Sequence, residues 1–469
     1  MGRLIGLLFV MTLLTSCTPW RILLFNKPSI DDKKPFPTSV IEPGENPFHF
    51  TETDNFKLPP MNTWVEKEFT NKYQSLEEFL IRSNTTSFMV IRNDSILYEK
   101  YFGGYFKENP ALIFSVTKSF LTTLVGIALE EGLIPSLDTP VYHYIPEFAN
   151  DDRKKITIEH LLHMTSGLHF SDYRTPFKLS NFYYTKNSKN FIKRLDLFHE
   201  PGKAFVYKSV DTQLLGICLE QAIGRSVSDY LKEKLWHPLG MEYPAYFTMD
   251  RKDGIERMYG GLMACTRDLA KLARLFLNDG VWEGKQIISK DWISTVKSKE
   301  IDRDGWWGYA FGWWRDVYLN NNLKESNDYF AAGFGGQFVY VNPNENLIIV
   351  RQGRSRKKIE WNYYISKLAY VLQGDEVFPK EDMIGERKDL IGKYTSLTGE
   401  EISLEYDQKK KRWNVEGCKD IHCSFEEECA QSLYNPKKRL RIIFDKTNNK
   451  ATGLYLDDYK ELNYFTKMD

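Results

Sequence analysis

A serine three residues before a lysine sets a hydroxyl and an amine one helical turn apart on the same face. Ser115-Val-Thr-Lys118 has this spacing, and so do Ser294–Lys297 and Ser355–Lys358. In a chain this rich in lysine, about three such matches are expected by chance, so context must select among them. Ser115 opens an apolar helical run (Phe120, Leu121, Leu124, Val125, Ile127, Ala128, Leu129) that stops at Gly132. A hydroxyl is a poor nucleophile until a base takes its proton, and a partly desolvated lysine can do this or can lower the pKa of a neighbouring tyrosine. Free N–H groups at the helix start also favour developing negative charge. The plainer alternative for Ser115 is a helix N-cap. Ser294 and Ser355 lie in polar sequence and read as surface positions.

A frame must hold such a pair. Ser87–Arg92, a turn at Asn93-Asp94 and Ser95–Tyr101 predict a β-hairpin; Gln337–Val341, a turn around Asn342-Pro343-Asn344 and Asn346–Arg351 predict a second. Helical periodicity covers 116–131, 157–164, 211–223, 227–236 and 266–278 between them. Hairpins at both ends with helices between imply an α+β fold, an antiparallel sheet flanked by helices with a helical subdomain. This main domain is expected over 61–375. A polar stretch, Gly374 to Lys388, leads to alternating segments at 401–406, 439–444 and 453–456, which predict a small C-terminal β domain over 386–469.

The 469-residue chain carries 63 Lys+Arg against 63 Asp+Glu. This neutrality argues against a nucleic-acid binder that works by phosphate neutralisation. Leu4–Leu14 is apolar, too short to span a bilayer and suited to a signal-peptide core. It runs into Leu14-Thr-Ser-Cys17, which resembles the lipobox of bacterial lipoproteins. The expectation is a signal peptide over 1–16, a lipidated Cys17 and a Pro-rich tether over 17–60. The protein would then be an exported lipoprotein anchored in the cell envelope, on the periplasmic or surface side of the outer membrane. A plain secretory signal with an incidental cysteine is the alternative.

His160 and His163 have helical metal-pair spacing, but no acidic partner is fixed nearby, and no metal or other cofactor is called for. Trp306, Trp307, Tyr309, Phe311, Trp313 and Trp314 could wall an apolar pocket or fill a core; both are expected. Cys218 and Cys265 read as buried thiols. Cys418, Cys423 and Cys429 could form one disulfide with one cysteine left over.

Five blocks occur in one order: Phe114–Phe120, Ile156–Leu168, Pro201–Tyr207, Gly260–Ala264 and Gly333–Gln337. Together they resemble the serine β-lactamase and penicillin-binding-protein superfamily over roughly residues 85–355. The nearest branch is the one holding class C β-lactamases, esterases and 6-aminohexanoate-dimer hydrolases. The resemblance implies that Ser115 is an acylated nucleophile, Lys118 its partner, and Tyr207 a general base whose phenolate the lysine stabilises. Tyr173, beside Asp172, would contact substrate. Ser209 stands where the family has the asparagine of Tyr-x-Asn. Ala331-Ala332-Gly333 aligns with the family's Lys-Thr-Gly strand but lacks its basic residue. Gly333 would let that strand approach substrate closely, and the Ser115 and Phe334 N–H groups would form an oxyanion hole. Lys324 and Arg351 are the nearest basic residues that could replace the missing charge. The implied function is a serine hydrolase working through an acyl-enzyme on an amide, ester or peptide, in preference to a β-lactam. The rival reading is a catalytically silent sensor of cell-wall peptides.

Overall fold

The computed structural model describes residues 18, 21–22, 28–31, 36–53, 56–65, 67–173, 175–297, 307–316, 327–355, 359 and 361–374, with seven strands between 392 and 467. Cys17, Lys324, Trp306, Cys418 and Cys429, and with them the signal, lipid and disulfide expectations, lie outside the described residues. The chain divides into two units, Met1–Ile301 with Tyr309–Asp375, and Asp302–Gly308 with Glu376–Asp469.

An eight-stranded sheet lies in the first unit except for Trp307 and Gly308. Its strands are β1 (Thr51–Glu52), β2 (Thr85–Arg92), β3 (Ser95–Tyr101), β4 (Trp307–Ala310), β5 (Trp313–Asp316), β6 (Tyr329–Gly333), β7 (Gln337–Asn342) and β8 (Leu347–Gly353). Their spatial order is β4-β5-β6-β7-β8-β2-β3-β1. The pairs from β5 to β3 are antiparallel and the edge pair β1–β3 is parallel. Asn93 and Asp94 both adopt positive φ (51° and 59°) at the first hairpin turn. Those values match the type I′ turn, whose twist suits two antiparallel strands.

The central strands read as nearly continuous apolar runs because both faces of the sheet are covered. The helices are α1 (Leu76–Arg82), α2 (Thr117–Glu130), α3 (Ser209–Ile223), α4 (Thr266–Leu277) and α5 (Trp361–Leu372). Val339 and Val341 of β7 and Ile348 and Val350 of β8 enter the main core, where Phe276 of α4 packs on Trp313 and Tyr329. Alternate residues face the other way. There Phe79 of α1 meets Trp361 and Tyr364 of α5.

That second face settles the place of Arg351. Its guanidinium lies 3.8 Å from the Trp361 ring centroid and donates to Ser83 O and Thr85 Oγ1 at 3.0 Å each, and to Gly336 O. Fully buried and engaged on that side of the sheet, it fastens strands together and cannot replace the missing base of the third motif. Ala331 is equally buried, within the main core.

In the second unit seven strands form one sheet, in the order His422–Cys423, Arg412–Glu416, Glu401–Asp407, Gly392–Ser396, Leu462–Lys467, Ala451–Asp457 and Arg439–Phe444. Every pairing is antiparallel.

Candidate active site

Helix α2 is buried along almost its whole length, its polar residues Thr117, Lys118, Ser119, Thr122 and Thr123 included. It has no side-chain N-cap; it grows out of a 3-10 turn, Phe114–Val116, that also lacks one. Ser115 is therefore not spent as a cap. Phe114 holds φ at +47°, a left-handed value rare for an aromatic residue. The strain sits immediately before the serine, where it sets the exit direction of the chain.

Lys118 is fully buried beneath Ser115, which stays partly open to solvent. The Lys118 Nζ donates to Ser115 Oγ at 3.0 Å, to Ser209 Oγ at 3.3 Å and to the Tyr259 carbonyl at 2.7 Å. Burial pushes its pKa down to about 8, against a smaller upward pull from Asp172. A considerable share of this amine is therefore neutral near physiological pH, as a base requires.

Tyr207 departs from the phenolate expectation. Burial, followed by Tyr309, Tyr173 and Asp172, raises its pKa well above the usual tyrosine value. Its ring stacks with Tyr173 at 5.8 Å and meets Tyr309 at 5.7 Å and Trp314 at 5.2 Å. This dry aromatic nest opposes an anion more strongly than the nearby ammonium favours one. Tyr207 rests as a neutral O–H, and Lys118 is the group shifted toward basic duty.

The segment carrying Tyr207 runs beside the loop after the short helix Ile158–Leu162. Gly202 N donates to Thr165 O at 2.8 Å, Val206 N to Met164 O at 3.0 Å, and Asp172 N to Tyr207 O at 3.2 Å. Gly167 (φ +77°) permits the close passage, since a Cβ there would stand 2.1 Å from the His199 carbonyl. The ladder delivers Asp172 to the start of α3, where it accepts from Ser209 N at 2.7 Å and Ser209 Oγ at 2.6 Å. Asp172 was legible only as the neighbour of Tyr173, and no motif marked it. The Tyr259 carbonyl could not have been found from residue type at all.

A second buried network adjoins this one. Ser166 Oγ donates to Asp211 at 2.6 Å, and Lys208 Nζ reaches Ser166 Oγ and Leu168 O at 3.4 Å each. Burial raises the Asp211 pKa to about 6 and lowers that of Lys208.

Gly333 permits a close approach within the protein. A Cβ there would lie 2.4 Å from the Ile113 carbonyl, so the missing side chain lets β6 press against the turn that leads into Ser115. Phe334 follows directly, its half-exposed ring edge-on to Phe114 at 5.3 Å. The Ser115 and Phe334 peptides thus sit on two segments held together at Gly333.

The remaining candidates separate cleanly. Ser294 is exposed, and Lys297 pairs with Asp279 at 2.6 Å. The Ser355 carbonyl accepts from Arg351. His160 completes a capping box with Thr157, and His163 packs on Phe311 at 5.0 Å. Among the described residues, no group of three or more His, Cys, Asp or Glu could hold a metal ion. Cys218 and Cys265 are buried thiols.

A family model described as Beta-lactamase matches residues 76–357. Over 296 residues the chain is 28% identical to a 6-aminohexanoate-dimer hydrolase of Paenarthrobacter ureafaciens, covering 59% of this chain and 74% of that protein. The solved "Putative 6-aminohexanoate-dimer hydrolase from Bacillus anthracis" superposes with a TM-score of 0.62 at 23% identity, covering 75% of this chain and 94% of that one. EstCE1, described as a hydrolase with promiscuous acyltransferase activity, gives a TM-score of 0.51 at 17% identity over 62% of this chain and 95% of that one. At these identities the two structural likenesses speak for the fold alone.

Proposed function

The chain belongs to the Beta-lactamase family, and from that premise we propose that it is a serine hydrolase that cleaves an amide or ester through an acyl-Ser115 intermediate. The observation that carries the reading is the placing of Lys118 Nζ 3.0 Å from Ser115 Oγ, with the Tyr207 ring 5.2 Å from the same nitrogen. Lys118 takes the Ser115 proton as the oxygen attacks the carbonyl carbon. Negative charge collects on the carbonyl oxygen, which the Ser115 and Phe334 N–H groups would receive. Tyr207, a neutral O–H, hands its proton to the leaving group as the tetrahedral centre collapses and regains one from the Lys118 ammonium, so that the amine is neutral and the phenol protonated again. Water then hydrolyses the ester through the same groups in reverse.

The site favours substrates without a carboxylate. Ala331 supplies no charge, Arg351 is locked on the far side of β8, and the wall beside Tyr207 is aromatic (Tyr173, Tyr309, Trp314). The relative with 28% identity is named a 6-aminohexanoate-dimer hydrolase, which supports hydrolytic chemistry here. The proposal includes export and lipid anchoring through Cys17, supported by the Leu14–Cys17 pattern.

The test is labelling with a fluorophosphonate followed by intact-mass analysis. The wild type should gain one adduct on Ser115 and Ser115→Ala none. An unlabelled wild-type protein that still bound cell-wall peptides would favour the sensor reading.

A further inference from the structure

We propose that Asp172 is a positioning residue that, through Ser209, aims the lone pair of Lys118 at Ser115. This rests on the serine-hydrolase reading and adds to it a residue that the resemblance did not assign a role of this kind.

The argument is one of hydrogen-bond polarity. The Lys118 nitrogen has three partners: Ser115 Oγ, Ser209 Oγ and the Tyr259 carbonyl. A carbonyl can only accept. A hydroxyl can do either, but the Ser209 proton is committed to Asp172 at 2.6 Å, with Ser209 N holding the other carboxylate oxygen at 2.7 Å. Ser209 therefore also presents only a lone pair to the lysine. A neutral amine has two N–H groups, and two partners that accept but cannot donate claim both. The position left over, which must be the lone pair, faces Ser115. Without Asp172 the Ser209 hydroxyl could turn and donate to the amine, and the lone pair would then point at Ser209.

The surroundings keep this arrangement intact. Lys118 faces the Tyr207 ring at 5.2 Å and the Tyr259 ring at 6.0 Å, and Arg257 holds the Tyr259 hydroxyl at 2.9 Å. Asp172 faces Lys118, Lys208, Tyr207, Tyr259, Tyr309 and Asp211. Burial raises the Asp172 pKa, and Lys118, the two Ser209 hydrogen bonds and Lys208 pull it back toward the carboxylate form. Its negative charge in turn supports the Lys118 ammonium, so losing that charge should move the lysine midpoint to lower pH.

The test is a double-mutant cycle on the full chain, read by the rate of Ser115 labelling and by Lys118 titration in side-chain NMR. Asp172→Asn and Ser209→Ala should each slow labelling by about ten- to a hundredfold. The double variant should be no slower than the slower single. The Lys118 midpoint should fall in Asp172→Asn. Losses that multiply, or a wild-type rate in either single variant, would overturn the proposal. Should Asp172→Asn fail to fold, Ser209→Thr decides: its hydroxyl should restore most of the rate that Ser209→Ala loses, and equal rates in the two would refute it. Failure of the wild type to label condemns the hydrolase reading instead; the unchanged or lowered Lys118 midpoint then judges Asp172 by itself.

Discussion

Lys118 and Tyr207 lie against each other, nitrogen to ring centroid 5.2 Å, with their proton affinities displaced in opposite directions by the same burial. The amine is pushed down to about 8 and the phenol well above its usual value. One environment therefore separates a base from an acid, since low polarity opposes whichever form of each group is charged.

This fixes a pH prediction. Lys118 must be neutral to accept the Ser115 proton, so kcat/KM should rise with pH through about 8 and level off while Tyr207 stays protonated. In Tyr207→Phe the plateau should drop by about a hundredfold while the acid limb stays in place. A limb that vanished with the phenol would make Tyr207 the base. The measurement is a pH profile with a neutral p-nitrophenyl ester.

Gly333→Ala should damage catalysis through the nucleophile turn. The added Cβ would meet the Ile113 carbonyl at 2.4 Å, and backbone on both sides must move. A stability loss of about 1–3 kcal/mol is expected, with kcat falling more than KM rises because Ser115 is displaced. Denaturation and steady-state kinetics together check it; an unaltered kcat would show that β6 does not support the turn.

Substrates bearing a carboxylate should be poor. The absent charge-assisted bond is worth about 1.5–3 kcal/mol, or roughly ten- to a hundredfold in transition-state binding. Nitrocefin should therefore turn over far more slowly than a neutral p-nitrophenyl ester. Ala331→Lys should not repair this. The position is sealed in the main core, and an unpaired ammonium there should cost on the order of 3 kcal/mol of stability. Cephalosporin turnover faster than ester turnover in the wild type would end the argument.

Cys17→Ser should move the protein from the membrane fraction to the soluble one with unchanged activity per molecule. Fractionation of expressing cells is the check, and a variant that stayed with the membrane would place the anchor elsewhere.

The chain announced its fold where local pattern and neighbourhood agree. The two hairpins and the helix after Ser115 are short-range features, written in alternation, turn residues and apolar runs. The association of Ser115, Lys118, Tyr207 and Ser209 was legible from five ordered blocks, not from any spacing alone. What stayed hidden depends on burial. Nothing in the sequence around Tyr207 says that Tyr173, Tyr309 and Trp314 will surround it, so the burial that raises its pKa is not legible there. Arg351 looked available because its commitment to Ser83, Thr85 and Trp361 arises from partners far along the chain. Asp172 became visible only when the loop ladder carried it to α3.

That ladder also constrains change. Three backbone hydrogen bonds join the loop bearing Asp172 and Tyr173 to the segment bearing Tyr207. Insertion or exchange of the loop would drag the proton donor with it. New specificity is therefore reached most simply by changing side chains on an unaltered backbone, at Tyr173 or Trp314, with the length between Thr165 and Asp172 left as it is.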